Sequence, residues 1–276
     1  MNGTAMTTLR LTSPFVASRG IPVSLVAILL LALIWWALTN VFAVPEYIFP
    51  SLSSVASALW EALLSGRLLD DTRISIIRLL LGAVVGIISG IALGFLVGLS
   101  RTARIAVEPL INAFSGIAGI AWIPLALAWF GTGLAMSTFV IWNGMFFVVF
   151  ANTILGVSRV PPTYAQAIFT LGGDRREVLR SVILPGALPD ILTGVRVGLA
   201  FAWRSLIAAE LMGSPMGLGQ WVNEAATYQR TDRILAGCLT IAVLGVLLET
   251  LMVSWIARRT VVRWGTVAVA EERKAR

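Results

Sequence analysis

Long charge-free apolar runs, separated by short segments that collect most of the arginines, lay out this chain. The run from Ile21 to Ala43 contains no charged residue. Crossing about 30 Å of hydrocarbon takes about 20 apolar residues in a helix, so this run predicts a first membrane span. It exceeds the apolar core of a secretory signal and no small-residue cleavage site follows it, which predicts a retained anchor. A second span is predicted from about Ile74 to Leu99, with Gly82, Gly86, Gly90, Gly94 and Gly98 at four-residue intervals. Such a stripe lets another helix backbone approach closely, and a sliding face for gating is its other use. From Pro109 to Ser158 there is again no charge, a stretch of roughly 50 positions that holds two spans. Their break is predicted near Gly131-Thr132-Gly133. A fifth span is predicted over about Leu188–Leu211 and a sixth over about Ile234–Trp255. Between the first two spans, residues 51–64 place apolar positions at helical spacing behind Ser51, a residue suited to capping, which predicts a short amphipathic helix at the outer interface.

Six spans put both termini on one side, and cations in short loops choose that side. Arg10, Arg19, Arg101, Arg104, Arg159, Arg175, Arg176, Arg180, Arg258, Arg259, Arg263, Arg273, Lys274 and Arg276 fall on the predicted inside; Arg67, Arg73, Arg78, Arg230 and Arg233 fall outside. The expected organisation is therefore a cytoplasmic tail at 1–20, a membrane domain at 21–260 and a second cytoplasmic tail at 261–276. The loop 160–189 is cytoplasmic and the segment Gly213 to Asp232 external.

Composition agrees with that class. The chain has 276 residues, 58% hydrophobic and 13% charged, with a mean hydropathy of +0.88. It has no His, and its one Cys, Cys238, lies in an apolar run, so metal, haem and cysteine-nucleophile chemistry lack their usual ligands. The net charge of +7 follows the loop pattern rather than a basic patch for nucleic acid. Lys274 is the only lysine, and no GxxxxGK[ST] phosphate loop is present, so the chain does not itself bind ATP in that way. No cofactor is expected, and no catalytic residue.

The loop reads VPPTYAQAIFTLGGDRREVLRSVILPGALP. Pro161-Pro162 ends the preceding span, good helix formers lead to Leu171-Gly172-Gly173, and Asp174 is placed to cap a second helix with Glu177 at the capping-box position and Pro185 closing it. Tyr164, Ala167, Ile168 and Leu171 form a small apolar face suited to a groove on a soluble partner. The loop resembles the cytoplasmic signature of ABC-importer permeases: Glu-Ala-Ala, three residues, Gly, nine residues, then Ile, any residue, Leu-Pro. Here Gln166-Ala167-Ile168, Gly172 and Val182-Ile183-Leu184-Pro185 keep both spacings, with Gln for Glu, Ile for the second Ala and Val for Ile. Ala121 to Leu125 with Trp129 to Gly133, Leu184 to Pro189 with Thr193-Gly194 and Arg196, and Ala209-Glu210 with Gly217-Leu218-Gly219 are similar to permeases of nitrate, sulfonate, taurine and bicarbonate importers.

That resemblance implies an all-α, polytopic type I permease of six transmembrane helices in the bacterial inner membrane, paired with a second copy as a homodimer. It implies two copies of an ABC ATP-binding protein, which hydrolyse the ATP, and an external solute-binding protein. By the same analogy Gln166, Ala167, Ile168, Gly172, Asp174 and Val182 belong to the ATPase-coupling loop, with Leu184-Pro185 fixing its return to the membrane. The solute would be a small organic anion of the sulfonate, taurine or nitrate kind.

Two charges, Arg204 and Glu210, fall in the outer half of the fifth span, where each costs roughly 2.5–3.5 kcal/mol on insertion scales and needs a partner or water. Six residues apart, they do not meet on their own helix. They are candidates for the translocation pathway, Arg204 favouring an anionic solute; a structural pair with Glu249, or hydration near the outer interface, is the competing expectation. Asp190 and Arg196 are expected to anchor the cytoplasmic end. A secondary transporter driven by an ion gradient, using Asn112, Asn143 and Asn152, is the alternative class.

Overall fold

The computed structural model describes residues 23–41 and 44–260, all of whose regular elements are helices. The predicted tails, with Arg10, Arg19, Arg263, Arg273, Lys274 and Arg276, lie outside the described residues, as do the side chains of Asn112, Arg258 and Arg259. In chain order the helices are α1 (Val23–Asn40), α2 (Leu52–Leu64), α3 (Arg67–Gly98), α4 (Arg101–Ser115), a 3-10 turn (Gly119–Trp122), α5 (Ile123–Phe130), α6 (Leu134–Arg159), α7 (Pro162–Thr170), α8 (Arg175–Val178), a π-helical turn (Leu179–Ile183), α9 (Leu184–Gly213), α10 (Leu218–Thr227) and α11 (Thr231–Thr260).

Four stretches are long and apolar enough to cross a bilayer: Arg67–Gly98, Leu134–Arg159, the continuous Arg175–Gly213 and Thr231–Leu251. A fifth is formed if α4 and the segment Gly119–Phe130, bent by 86° at their junction, count as one span. The predicted break at Gly131 to Gly133 is where α5 ends and α6 begins. The span before it differs from expectation. It starts at Arg101, carries Pro109 inside α4, and is broken after Ser115 near Gly116 and Gly119, which give little helical continuity. The segment Gly213 to Asp232, expected only to be external, contains α10. Its buried Leu218, Trp221 and Ala225 follow helical spacing, and Trp221 packs against Val55, Ala58 and Ala62 of α2 and Ala236 of α11. The N-cap of α2 is Ser51, whose Oγ accepts the Ser54 N–H at 3.2 Å, as predicted.

The core is a three-helix unit of α3, α6 and α9. The glycine stripe of α3 meets α6 residue for residue: Gly82, Gly86, Gly90, Gly94 and Gly98 lie against Ile141, Met145, Val149, Thr153 and Val157. Because both sets advance by four, the two helices run parallel and in register. A Cβ on any of these glycines would come within 2.5–3.0 Å of the facing side chain, so the backbones approach as closely as they do only because the stripe is bare. α9 runs antiparallel to α6, bringing Gly194 onto Asn152, Gly198 onto Met145 and Gly213 onto Met136. Leu79, Ala83, Ile141, Met145, Val149, Leu199, Ala202 and Leu206 form the buried centre.

Candidate functional site

The loop after α6 is built by its prolines and a glycine turn. Pro161 is extended and Pro162 opens α7, where its missing N–H costs nothing. Gly172 has φ +85°, a conformation that side-chain-bearing residues rarely take, and the Gly173 N–H closes the turn on the Ile168 carbonyl at 2.9 Å. Asp174 then caps α8, its Oδ1 accepting the Glu177 N–H at 2.7 Å. Of the predicted apolar face, Tyr164, Ala167 and Leu171 are exposed, Leu171 to 87%, while Ile168 is half-buried against the glycine turn. Gln166 and Asp174 are exposed, and Phe169, which the periodicity did not select, adds to the exposed apolar surface.

Pro185 does not close α8, contrary to expectation. The helix continues through the π turn, with the Leu184 N–H bonded to the Leu179 carbonyl five residues back, and runs on as α9 to Gly213. The wider turn accommodates the proline ring, which an ordinary α-helix would press against the carbonyl four residues earlier. Val182 and Pro185 are half-buried in this junction and Leu184 is exposed. The base of the loop is pinned to α6: Arg159 bonds Asp190 at 2.8 Å, and Gly156 and Gly186 lie against Ala187 and Val160.

At the opposite end of α9, Glu210 is completely buried. Its carboxylate accepts from Ser75 Oγ at 2.8 and 2.9 Å, Arg78 Nη1 at 3.0 Å and the Gly219 N–H at 3.0 Å. Arg78 also donates to the Met216 carbonyl, Ser75 accepts the Leu218 N–H, and Asp71 accepts the Gly217 N–H at 2.9 Å. Arg67, half-buried at this end, pairs with Glu224 and lies 3.5 Å from Asp71. Gly217, with φ +123°, has no room for a Cβ beside Glu210. Two expectations are corrected here. Glu210 does not line a pathway in this structure, since its partners seal it against α3, and Arg78 is not a loop cation but a buried helix residue. Burial makes an unpaired charge costly, and the pair forms across the core because each supplies the other's missing countercharge. Arg204 is exposed and lines a cavity between α9 and α11; the ion pairs of the described residues do not join it to Glu249.

Residues 82–262 match the family model described as the binding-protein-dependent transport system inner membrane component. The chain is an ABC-importer permease. Over 239 residues the permease is 33% identical to the taurine transport system permease protein of Escherichia coli K12, covering 84% of this chain and 86% of that one. It is 32% identical over 189 residues to the bicarbonate transport system permease protein of Synechococcus elongatus, 68% of each chain. Among solved structures, the MetNI methionine ABC transporter in an inward-facing form superposes with a TM-score of 0.58 at 20% identity, over 70% of the permease and 94% of that chain. An amino acid ABC transporter gives the same TM-score at 16% identity, over 73% and 96%. These permeases share the all-helical fold.

The motif Ala209-Glu210 to Gly217-Leu218-Gly219 thus has a physical basis in the permease: it is a buried carboxylate with the glycine loop that wraps it. Sequence reasoning found Glu210 but missed its partners Ser75 and Arg78, and Asp71, which holds the Gly217 N–H beside them. Their signal is a polar stripe along one face of α3, at intervals of four and three residues inside an apolar helix. Of the polar residues weighed for an ion-driven carrier, Asn152 is bonded to the Val148 carbonyl of its own helix at 2.8 Å.

Proposed function

We propose that this permease is the membrane subunit of an ATP-driven importer in the bacterial inner membrane. Two copies form the translocation pathway, two ABC ATP-binding chains attach beneath them, and an external solute-binding protein delivers the solute. With α1 and the bent pair counted as spans, the chain crosses six times with both termini cytoplasmic. Gln166, Ala167, Ile168, Gly172 and Asp174 form the ATPase contact, and Val182, Leu184 and Pro185 carry the loop back into the membrane. ATP hydrolysis belongs to the partner chain. The relatives named for taurine and bicarbonate support a small anionic solute.

The carrying observation is the loop itself. An apolar patch around Leu171, exposed to 87%, is held on a capped glycine turn and joined by unbroken helix to a core span. Exposed apolar surface of this kind marks a protein contact. The test is purification of the tagged permease in mild detergent from its native host, with mass spectrometry of what stays bound, repeated with Gly172→Pro. At φ +85° proline is sterically forbidden, so the turn collapses while the core is untouched. An ABC ATPase should copurify with the native chain and be lost from the variant. A chain that purifies alone and moves solute in proteoliposomes under an ion gradient only would refute the proposal.

A further inference from the structure

Helices α9 and α11, with Leu79 of α3 and Val222 of α10, flank a half-open, largely apolar cavity of about 470 Å³, walled by residues such as Trp203, Ile207 and Ile241. Three charged residues line it: Arg196, Arg204 and Glu249. None of them takes part in the ion pairs of the described residues, and the guanidinium carbon of Arg204 lies 5.8 Å from the ring of Phe201. Gly245 abuts Trp203, so on the antiparallel helices Arg204 stands about level with position 244. Glu249 is then about 7.5 Å further along the cavity, closer to the level of Arg196 than to that of Arg204. Arg204 is the guanidinium without a carboxylate at its own height. It also lies nine residues below Gly213, about 13 Å from the outer end of α9, near the middle of about 30 Å of hydrocarbon. Phospholipid phosphates sit at the interface, so a lipid headgroup is displaced from it by that depth.

We propose that this cavity is an anion-binding station on the solute's route, in which Arg204 takes the sulfonate or carboxylate group and the apolar walls cover a short carbon skeleton. A planar guanidinium offers two parallel N–H donors to such a group, and the apolar surroundings strengthen the contact. Arg196 is counterbalanced by Glu249, so the cavity favours a single negative charge. The inference rests on the importer function proposed above and assigns a location and a residue to its solute.

The experiment uses the full importer, with its ATP-binding and solute-binding chains, in proteoliposomes. Uptake of radiolabelled taurine, ethanesulfonate and bicarbonate is measured beside ATP hydrolysis for the native chain and for Arg204→Gln, Arg204→Lys and Glu249→Gln. Arg204→Gln should lower the solute moved per ATP at least tenfold, with hydrolysis still stimulated within twofold of native, and Arg204→Lys should restore part of it. Glu249→Gln should leave ethanesulfonate uptake at or above the native level, because it removes a repelling charge. Equal losses in Arg204→Gln and Glu249→Gln would mean a structural pair and overturn the inference. So would unchanged transport in Arg204→Gln, including the case in which native mass spectrometry shows that this variant has lost a bound phospholipid. A native complex that hydrolyses ATP yet moves none of the three solutes would instead refute the solute class of the parent proposal.

Discussion

Glu210 receives donors from three directions, two on α3 and one at the start of α10, and that convergence decides what its substitution does. Removing one member of a buried ion pair strands the other charge, which costs about 3–5 kcal/mol, whereas replacing both by apolar residues of similar volume is close to neutral. Arg78→Met is therefore expected to lower detergent-phase thermal stability sharply, and Arg78→Met with Glu210→Met to recover most of the loss. Additive losses in the double variant would show that the two residues do not act as a unit. Gly217→Ala should also destabilise, because the added carbon meets the carboxylate and the backbone is at φ +123°. The neighbouring, partly exposed pair of Arg67 and Glu224 behaves differently. The Arg67 hydrogen bond, aided by the charges of Arg67 and Arg233, holds the Glu224 carboxyl below its ordinary value. A depressed folded-state value means that the stabilisation is complete above the ordinary carboxylate range and is lost as pH falls through the lowered value. The melting difference between native and Glu224→Gln chains should accordingly shrink on acidification, and a difference that grows towards low pH would reverse the assignment. The site is partly exposed, so the effect should be small and salt-sensitive.

At the scale of elements, the pairing of α3 with α6 is a lock of bare backbone against side chains. Gly86→Leu places its side chain where Met145 stands, with the first carbon already 2.8 Å from that residue's Cβ. Backbones forced apart lose the contacts that hold helices together in lipid. The expected result is a fall in melting temperature larger than that from Gly66→Leu at the left-handed, open position before α3, where nothing lies within 4 Å. Similar falls would mean that the stripe packs loosely. This interface was legible in the sequence because its signal is periodic and local, as were the Ser51 cap, the break at Gly131 to Gly133 and the glycine turn of the loop. Arg78 with Glu210 was not, since 132 residues separate them and only the folded bundle makes them neighbours. The bend after Ser115 and the π turn before Pro185 were hidden for another reason. Proline and glycine announce a disturbance of the helix, but whether it ends, bends or widens depends on what packs around it.

Across the whole molecule, one helix joins the exposed loop to the buried carboxylate cluster around Glu210. From Arg175 to Gly213 it spans 39 residues, about 58 Å, with Asp174 and the glycine turn at one end and Glu210 near the other. In the proposed importer a displacement applied at the loop would reach α9 through the π turn, whose Ile183 packs into the cluster of Val157, Ala187 and Ile191. That turn is the mechanically weak point, because it is one widened ring between two regular helices. Val182→Gly with Ile183→Gly would loosen it by roughly 0.5 kcal/mol per residue from lost helix propensity, besides the side-chain packing removed, without altering the exposed residues of α7. In the assembled importer, this variant should still hold its ATP-binding chains on purification, while solute-loaded binding protein should lose most of its stimulation of ATP hydrolysis. Retained attachment with lost stimulation identifies the rod as the coupling element. Stimulation within twofold of native would show that the outer and inner faces communicate by another route, through α6 or the second copy.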